Sequence, residues 1–358
     1  MFYNDHMTNL LRVNLDISDK NIAKNLRFNN TLDGIRFVSK PNNKVVILAH
    51  RGRPSGKESG LSLKPFVNPL SKGLGKKVIF IDSFDFAKIA KRIQQSPNGS
   101  IFLLENLRFT PGEVKTSKSF AKSLASLGSK FINDDFPTSH HKNASNFELP
   151  KLLPSSIGPN FKTELGQLDR VMHNPRKPLV LVIGGAKASD KLGVLKNFMN
   201  KADSILLGGI PANTMLKARG VRIGKSLYDS KALSQVKPLA LKEKVVTPVD
   251  WKVKKDMILD IGPITIGLYT AAIKSAKTVV WNGPMGKFED ESFSTGTNAL
   301  YKAILAQKTA NILIGGGDTL EAVAFLAKPR KHIFVSSGGG AMLTYLSGEK
   351  LPALEAIK

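Results

Sequence analysis

Short, uninterrupted apolar runs alternate with segments of helical length along most of the chain. In the first half, such runs occupy residues 45–48, 78–81, 101–104 and 130–133, and helices are expected over 85–95 and 119–127. The pattern then restarts, with further runs at 179–183, 204–207, 245–246, 278–281, 311–314 and 332–335. Runs that are apolar throughout and separated by helices are typical of parallel β-sheets covered on both faces.

The restart of the pattern predicts two α/β domains, because 358 residues exceed one ordinary hydrophobic core. Between the two sets of runs, residues 163–173 have an amphipathic helical pattern, which Pro175 and Pro178 end. We therefore predict two doubly wound, Rossmann-like parallel-sheet domains joined by an interdomain helix. The predicted parts are an N-terminal domain over 1–162, the helix and hinge over 163–178, a C-terminal domain over 179–340, and a tail over 341–358 that returns to the N-terminal domain.

Two glycine triplets follow apolar runs near the end of the chain. Gly315-Gly316-Gly317 leads into Asp318 and Thr319, and Gly338-Gly339-Gly340 leads into Ala341. Glycines at a strand end let backbone N–H groups face an anion, and a helix beginning there adds its positive N-terminus. The pair predicts a phosphate cradle with Asp318 as a metal ligand beside it. The alternative is that glycine serves only the two strand-to-helix turns.

Cationic side chains follow the predicted strands of the first half and a polar stretch near its start: Arg27, His50, Arg51, Arg53, Arg108 and His141. Guanidinium groups bind phosphate and carboxylate through paired hydrogen bonds, so several of them at strand ends favour an anionic substrate. The alternative for each single arginine is an ordinary surface charge.

The second half has two lysines, Lys187 and Lys191, at a predicted strand-to-helix junction after Gly184-Gly185. A spacing of four at the start of a helix predicts that both face the same way. The alternative is that this segment only caps the helix through Ser189 or Asp190. A further segment, residues 220–226, resembles a P-loop. It has three residues between its glycines, where the motif requires four, so we interpret it as a turn.

Composition narrows the class of protein. The formal net charge is +25, but the basic residues are scattered along the chain, in small groups such as 328–331, and no long basic arm is present. We therefore expect a solvated basic surface that attracts small anions, and no nucleic-acid partner. The chain has no cysteine, which excludes disulfides and thiolate chemistry. Residues 1–8 have no secretory pattern and no run reaches the length of a membrane span, so we expect a cytoplasmic protein without a membrane partner.

Several strings, in this order, closely resemble the phosphoglycerate kinase family, and the resemblance extends from about residue 12 to about residue 352. It is carried by His50-Arg51-Gly52-Arg53-Pro54, Leu104-Glu105-Asn106-Leu107-Arg108-Phe109, Gly184-Gly185-Ala186-Lys187, Ser189-Asp190-Lys191, Leu259-Asp260-Ile261-Gly262-Pro263, Val280-Trp281-Asn282-Gly283-Pro284-Met285-Gly286, Gly315-Gly316-Gly317-Asp318-Thr319 and Ser337-Gly338-Gly339-Gly340-Ala341.

The resemblance implies a glycolytic enzyme that moves a phosphoryl group between 1,3-bisphosphoglycerate with ADP and 3-phosphoglycerate with Mg-ATP. It implies that the N-terminal domain binds the phosphoglycerate, that the C-terminal domain binds the nucleotide with Mg²⁺ at Asp318, and that the enzyme is a monomer. The residues so implied are Arg27, Lys187, Gly316 and Gly339 for catalysis, Asn14, Leu15, Asp16, Arg27, His50, Arg51, Gly52, Arg53, Arg108 and His141 for the phosphoglycerate, and Lys191, Asn282, Glu289, Gly316, Gly317, Asp318 and Thr319 for the nucleotide.

The sequence departs from the family pattern in the phosphoglycerate half. Asn14 and Asp16 exchange the family's aspartate and asparagine, and His141 replaces an arginine. Asp16 thus puts a negative charge where an amide is expected, and His141 carries only a partial charge at neutral pH. These changes leave an alternative open, in which the chain is a catalytically weakened paralogue that binds nucleotide and acts as a basic interaction protein.

Overall fold

The computed structural model describes residues 7–323 and 332–357, so the basic group at 328–331 and most of the segment 1–8 lie outside it. The chain divides into two compact units. The first unit comprises Met1–Leu165 and Lys350–Lys358, and the second comprises Gly166–Glu349.

The first unit is built on a six-stranded sheet with the order β3-β4-β2-β1-β5-β6, in which every neighbouring pair is parallel. Its strands are β1 (Thr8–Arg12), β2 (Lys44–Leu48), β3 (Val78–Ile81), β4 (Ile101–Leu104), β5 (Lys130–Asn133) and β6 (Ser155–Ile157). Its helices are α1 (Leu26–Val38), α2 (Val67–Leu74), α3 (Phe86–Gln95), α4 (Pro111–Val114), α5 (Lys118–Ala125), the start of α6 (Pro159–His173) and, from the end of the chain, α14 (Pro352–Glu355).

The second unit has its own six-stranded parallel sheet, with the order β14-β13-β12-β7-β8-β9. Its strands are β7 (Leu179–Ile183), β8 (Ser204–Leu207), β9 (Val245–Val246), β12 (Thr278–Asn282), β13 (Asn311–Gly315) and β14 (Ile333–Ser336). An antiparallel hairpin, β10 (Trp251–Lys254) and β11 (Met257–Ile261), was not predicted. Its helices, besides the rest of α6, are α7 (Leu192–Phe198), α8 (Gly209–Ala218), α9 (Ser230–Ala240), α10 (Pro263–Ser275), α11 (Thr295–Ala306), α12 (Gly317–Ala322) and α13 (Gly340–Leu346).

Two parallel sheets with flanking helices confirm the predicted fold class. The uninterrupted apolar runs arise because both faces of each sheet are buried. In β2, Ile47 packs in the cluster on one face of the first sheet, and its neighbours Val46 and Leu48 pack in the cluster on the other. All five residues of β7 and of β12 are buried in the same way. No helix within the described ranges combines the length and hydropathy that a membrane crossing requires.

Helix α6 begins at Pro159, four residues before the predicted start of this helix at residue 163. Its N-terminus is capped from another strand end, because Asp134 Oδ1 accepts the N–H groups of Asn160 at 2.8 Å and Phe161 at 3.0 Å. A second oxygen of Asp134 accepts from Asn160 Nδ2 at 2.6 Å. The cap is 26 residues away in sequence from Asn160, so local start signals could not locate it.

We expect Asp134→Ala to weaken the start of α6. The substitution leaves the half-buried N–H of Asn160 and the buried N–H of Phe161 without an acceptor. Losing such a cap typically lowers the free energy of unfolding by about 1–2 kcal/mol. Hydrogen exchange followed by mass spectrometry should show faster exchange at Asn160 and Phe161. A matched control is Asp85→Ala, which removes the exposed cap of α3, where Asp85 accepts from Lys88 N. It should accelerate exchange only at the start of α3. Equal exchange at Asn160 in wild type and Asp134→Ala would contradict this role.

Candidate functional site

Arg12 is the centre of the polar groups at the carboxyl edge of the first sheet. It ends β1 and is 1% exposed. Its guanidinium pairs with Asp135 at 2.8 Å and donates to His50 Nδ1 at 2.9 Å and to Ser145 Oγ at 3.0 Å. A buried charge with this set of partners is held in one orientation. The ends of β1, β2 and β5 are therefore joined through a single side chain.

Asp135 holds the opposite side of this centre. Its carboxylate also accepts from Asn14 Nδ2 at 2.8 Å and from Thr138 Oγ1 at 2.7 Å. Asn14, predicted to contact the phosphoglycerate, thus directs its amide N–H to Asp135. Its own side-chain oxygen accepts the N–H of Asp16 at 3.2 Å. Asn14 therefore orders the chain between β1 and α1.

His50 is buried and lies within electrostatic range of several basic side chains. Burial is the largest cause of a pKa well below the usual value for histidine, and Arg12, Arg108, Arg27 and His141 lower it further. Three of the predicted substrate residues are thus within electrostatic range of His50. We call Arg27, His50, Arg53, Arg108 and His141 the basic patch. At neutral pH, His50 contributes to this patch as a neutral hydrogen-bonding group.

Asp16 lies beside the basic patch with its side chain 41% exposed. Its Oδ1 accepts from Gly52 N at 2.8 Å, and its Oδ2 lies 3.8 Å from His50 Nε2. Its backbone oxygen accepts from Arg27 NH1 at 3.2 Å. The negative charge that departs from the family pattern is therefore held by local donors at the edge of the patch. Leu15, which precedes it, is fully buried in the core.

Arg108 and His141 complete the patch on another side. Arg108 NH1 donates to Gly52 O at 2.6 Å, and burial chiefly lowers the pKa of its guanidinium. Burial also lowers the pKa of His141, and Arg108 and Arg53 lower it further. The ring of His141 lies against that of His140, whose pKa burial lowers to about 4. Arg53 is exposed at this side of the patch.

The contacts of the Arg51 guanidinium lie outside the basic patch. Its guanidinium lies 5.4 Å from the ring centre of Phe66 and 3.4 Å from Asp19 Oδ2. The Arg51 guanidinium is therefore held by an ion pair with Asp19 and by stacking on Phe66. Its predicted contact with the phosphoglycerate stays a prediction.

In the second unit, glycine-rich loops at the ends of three strands are tied together through their backbones. Gly184 N donates to Asn282 O at 2.9 Å, Gly185 N to Pro284 O at 2.8 Å, and Gly209 N to Met285 O at 2.8 Å. A Cβ on Gly184 would lie 2.1 Å from Pro284 O, so only glycine permits this approach. Backbone hydrogen bonds thus join the loop after β12 to the loops after β7 and β8.

Gly316 opens the first glycine cradle. Its φ of +103° is a conformation that favours glycine, and it directly precedes α12. Thr319 Oγ1 accepts from Gly283 N at 2.7 Å and donates to Gly315 O at 3.0 Å. Asn282 Nδ2 donates to the same oxygen at 2.9 Å. Both side chains are buried, so the contacts they make here hold the cradle in shape.

A pocket of about 330 Å³ lies between these loops and the β10–β11 hairpin. Its lining includes apolar groups from Leu227, Pro248, Leu259, Met285 and Phe288. Glu289 and Asp318 add carboxylates. An apolar cavity with a few polar groups at its rim fits a small organic ligand with a charged end. The structure thus brings Glu289 and Asp318, both predicted nucleotide residues, to the same pocket.

Lys187 and Lys191 are neighbours of this pocket, but they do not lie on one helix as predicted. Lys187 lies in the loop after β7, and Lys191 ends a single 3-10 turn, Ser189–Lys191, that precedes α7. Burial chiefly lowers the pKa of Lys191, while the charges of Asp190 and Asp318 oppose that shift and Lys187 adds to it. The fold of the loop after β7, and not a shared helix, therefore brings Lys187, Lys191 and Asp318 within electrostatic range of one another.

The second glycine cradle follows β14. Gly339, which was predicted to be catalytic, has a φ of +49° and directly precedes α13. Gly338 N donates to Ser336 Oγ at 3.1 Å. The third segment singled out in the sequence, residues 220–226, lies between α8 and α9 and is joined to the β10–β11 hairpin. Gly224 forms an isolated antiparallel bridge with Met257, Lys225 N bonds to Asp256 O at 2.7 Å, and Ile258 N donates to Ser226 Oγ at 2.8 Å.

Asp135, Glu113 and Ser145 had no predicted role, yet all three are buried in the hydrogen-bond network of Arg12. A usable signal existed for Asp135, because the polar run Asn133-Asp134-Asp135 follows an apolar strand. For Glu113 and Ser145 no local pattern distinguishes them from surface residues. Among the described residues, no group of three or more His, Cys, Asp or Glu side chains is arranged to hold a metal ion.

Comparison with known proteins identifies the family of the chain. A family model described as phosphoglycerate kinase matches residues 5–349. Curated relatives named phosphoglycerate kinase include one from Pseudothermotoga lettingae, 38% identical over 97% of this chain and 95% of the relative, and one from Finegoldia magna, 37% identical over 97% and 95%.

Solved structures agree with the relatives. The structure of phosphoglycerate kinase from Coxiella burnetii has a TM-score of 0.84 and 34% identity, with 98% of this chain and 96% of that chain covered. The crystal structure of the enzyme from Pyrococcus horikoshii has a TM-score of 0.84 and 29% identity, with 99% and 97% covered. The chain therefore belongs to the phosphoglycerate kinase family.

Proposed function

We propose that this chain transfers a phosphoryl group between 1,3-bisphosphoglycerate with ADP and 3-phosphoglycerate with ATP. The observation that carries the proposal is the pairing, in one chain, of a basic patch on the first unit with glycine cradles beside an apolar pocket on the second. Phosphoryl transfer depends mainly on positioning and on neutralising charge, and these two surfaces supply both. Nothing observed favours the alternative of a weakened paralogue.

We propose that the first unit binds the phosphoglycerate through the basic patch. Arg27, Arg53 and Arg108 supply guanidinium groups that suit phosphate and carboxylate. Arg27 would steady the phosphoryl group in transfer, and His50 would donate a neutral hydrogen bond. Asp16 lies at the rim, where its charge disfavours a second anion and so limits which anionic molecules bind.

We propose that the second unit binds the nucleotide. The apolar pocket would take the base, and Glu289 would accept a ribose hydroxyl. The amides of Gly316, Gly317 and Gly339 would face phosphate oxygens, because they precede or begin helices. Lys187 would follow the group in transfer, and Lys191 would contact the nucleotide phosphates. Asn282 and Thr319 would support the cradle from beneath.

A magnesium ion fits the chemistry of this site at Asp318. Mg²⁺ bound with a nucleotide commonly takes one or two protein carboxylates together with phosphate oxygens and water. Asp318 supplies one exposed carboxylate at the pocket, at the start of α12. The bound ion would neutralise charge on the phosphates. A cytoplasmic monomer remains our proposal for the working enzyme.

The direct test is a coupled assay with the purified chain, ATP and 3-phosphoglycerate, in which NADH oxidation follows 1,3-bisphosphoglycerate formation. We expect turnover that requires both substrates and a divalent cation. ADP binding without turnover would favour the weakened paralogue instead.

We expect Lys187→Ala to lower kcat by about a hundredfold or more while the Kd for ADP changes by less than about threefold, because this lysine acts on charge that develops during transfer. Steady-state kinetics and calorimetry separate the two effects. A matched control is Lys196→Ala, which removes an exposed lysine of α7 that contacts Gln235. An unchanged kcat with a raised KM would show that Lys187 only binds.

We expect Asp318→Asn to weaken Mg-ADP binding by about tenfold while binding of ADP without metal changes little, since a hard cation prefers a charged oxygen ligand. Calorimetry with and without Mg²⁺ measures both. Glu321→Gln, an exposed carboxylate of the same helix, serves as the control. If the two variants show the same dependence on magnesium as the wild type, Asp318 is not the ligand.

We expect His141→Arg to lower KM for 3-phosphoglycerate most strongly at and above neutral pH. The pKa of His141 is lowered, so its ring loses a proton at a lower pH than an ordinary histidine does. The imidazole is therefore neutral at pH 7. The ratio of wild-type to variant KM should rise from about pH 5 to about pH 7 and then stay constant. A ratio that does not change with pH would place the contact elsewhere. In that case Lys142→Ala should raise KM.

A further inference from the structure

A chain of buried hydrogen bonds leads to His50 from residues that make none of the contacts proposed above. It begins at Glu113 in α4, which is 1% exposed. Both carboxylate oxygens of Glu113 accept from Ser145, one from its N–H at 3.0 Å and the other from its hydroxyl at 2.5 Å. Ser145 is itself fully buried. With Glu113 ionised, the hydroxyl proton of Ser145 is thus committed to its carboxylate.

Because its proton is committed, Ser145 Oγ presents only lone pairs to its other neighbour. That neighbour is Arg12, whose Nε–H donates to Ser145 Oγ at 3.0 Å. The other end of the guanidinium is held by Asp135 at 2.8 Å and by Val13 O at 2.6 Å. Arg12 is therefore fixed on both sides, and its remaining NH2 group meets His50 Nδ1 at 2.9 Å.

This last contact decides where the ring proton of His50 lies. A guanidinium can only donate, so Nδ1 must accept, and a neutral imidazole that accepts at Nδ1 carries its proton on Nε2. Nε2 lies on the side of Asp16, with 3.8 Å between Nε2 and Asp16 Oδ2. That distance is too long for a hydrogen bond. Within the described residues, the Nε2–H group thus remains available to donate to a substrate oxygen.

We propose that Glu113 and Ser145 are positioning residues, which hold Arg12 so that His50 presents an Nε2–H donor to the phosphoglycerate. The proposal rests on the proposed function for the identity of the substrate. The structural part of the proposal, which is the tautomer of His50 and its dependence on Ser145, is independent of the proposed function.

The surroundings of His50 support a role for position rather than charge. The charged and titratable groups facing it are Arg12, Arg27, Arg108 and His141 on the cationic side, and Asp16 and Asp135 on the anionic side. Arginine supplies the permanent charge of this patch, so a neutral donor adds directional recognition without more repulsion among the cations. A donor of this kind works only in one tautomer.

The test is nuclear magnetic resonance of the full chain labelled with ¹⁵N at histidine, using long-range ¹H–¹⁵N correlation at neutral pH. The chain has six histidines, and His50→Gln assigns the signal of His50. We expect wild-type His50 in the Nε2–H form. In Ser145→Ala, Glu113 loses a hydrogen-bond donor and Arg12 loses an acceptor. The opposite charges of Glu113 and Arg12 then attract each other directly, and the guanidinium moves away from His50. We expect a mixture of tautomers there.

The matched control is Ser139→Ala. Ser139 is also a fully buried serine of the first unit, but its hydroxyl has no hydrogen-bond partner within the part of the chain that the structure describes. It should leave the His50 signals unchanged. Glu113→Gln is a second variant of nearly the same shape, in which one amide oxygen faces two Ser145 donors. It should shift the His50 signals in the same direction as Ser145→Ala.

Kinetics give the functional readout. We expect Ser145→Ala to raise KM for 3-phosphoglycerate by about fivefold, because roughly one hydrogen bond to the substrate is lost. KM for ATP and kcat should stay within about twofold of the wild-type values. A purely structural role would lower the amount of active enzyme and so reduce kcat without changing KM.

Two results would overturn the proposal. One is a wild-type His50 that carries its proton on Nδ1, and the other is a His50 signal that Ser145→Ala and Glu113→Gln leave unchanged. If one variant does not fold, the wild-type tautomer and the other variant still decide. If the wild-type chain shows no turnover, the proposed function fails, while the resonance experiment continues to test the relay from Glu113 to His50.

Discussion

Burying both faces of a parallel sheet leaves the carboxyl ends of its strands as the place where polar side chains can gather. In the first unit, β2 and β4 are buried throughout, and helices pack on both sides. Arg12 follows this rule, because it is the last residue of β1. The same holds in the second unit, where Gly184, Gly283 and Gly316 all follow buried strands. The constraint that shapes the cores thus also places the chemistry.

The two units use this edge by different physical means. The first unit gathers charges, and its central pair, Arg12 with Asp135, is almost completely removed from water. Such a pair is tolerated because its remaining hydrogen-bonding positions are filled by Asn14, Thr138, Ser145 and His50. Breaking one partner would leave a charge buried without compensation, so the network has few alternative arrangements. Direction, as much as charge, is what this network provides.

The second unit gathers backbone groups. Its loops approach so closely that a Cβ on Gly283 would lie 2.2 Å from Gly184 O, and Gly316 adopts a positive φ. Side chains here act from beneath: the hydroxyl of Thr319 bridges Gly283 N and Gly315 O. Backbone amides cannot be moved by rotamer changes, so a cradle built from them is fixed before a ligand arrives. Lys187, Lys191 and Asp318 then add the charges that such amides lack.

The features that could be predicted from the sequence are those set by residues close together in the chain. Most strands and the clustering of Arg27, His50 and Arg108 were predictable, because apolar runs and strand ends are local patterns. Two strands of the first sheet, β1 and β6, were not among the predicted runs. The start of α6 was not, since its cap, Asp134, follows β5. The geometry of Lys187 and Lys191 was also missed, because a loop and a 3-10 turn precede α7.

The relay beneath the patch shows why side-chain roles exceed what a sequence pattern can give. Ser145 lies 133 residues from Arg12 and 32 from Glu113, and only the fold brings the three together. In the sequence each is an ordinary polar residue, and the family strings identify His50 without the groups that orient it. Whether a hydroxyl or a ring nitrogen donates or accepts depends on the neighbour that it meets. That role can be assigned only when the position of the neighbour's proton is known. Arg12 therefore decides the tautomer of His50, and the proposed role of Ser145 and Glu113, which lie outside the basic patch, is to hold Arg12 in place.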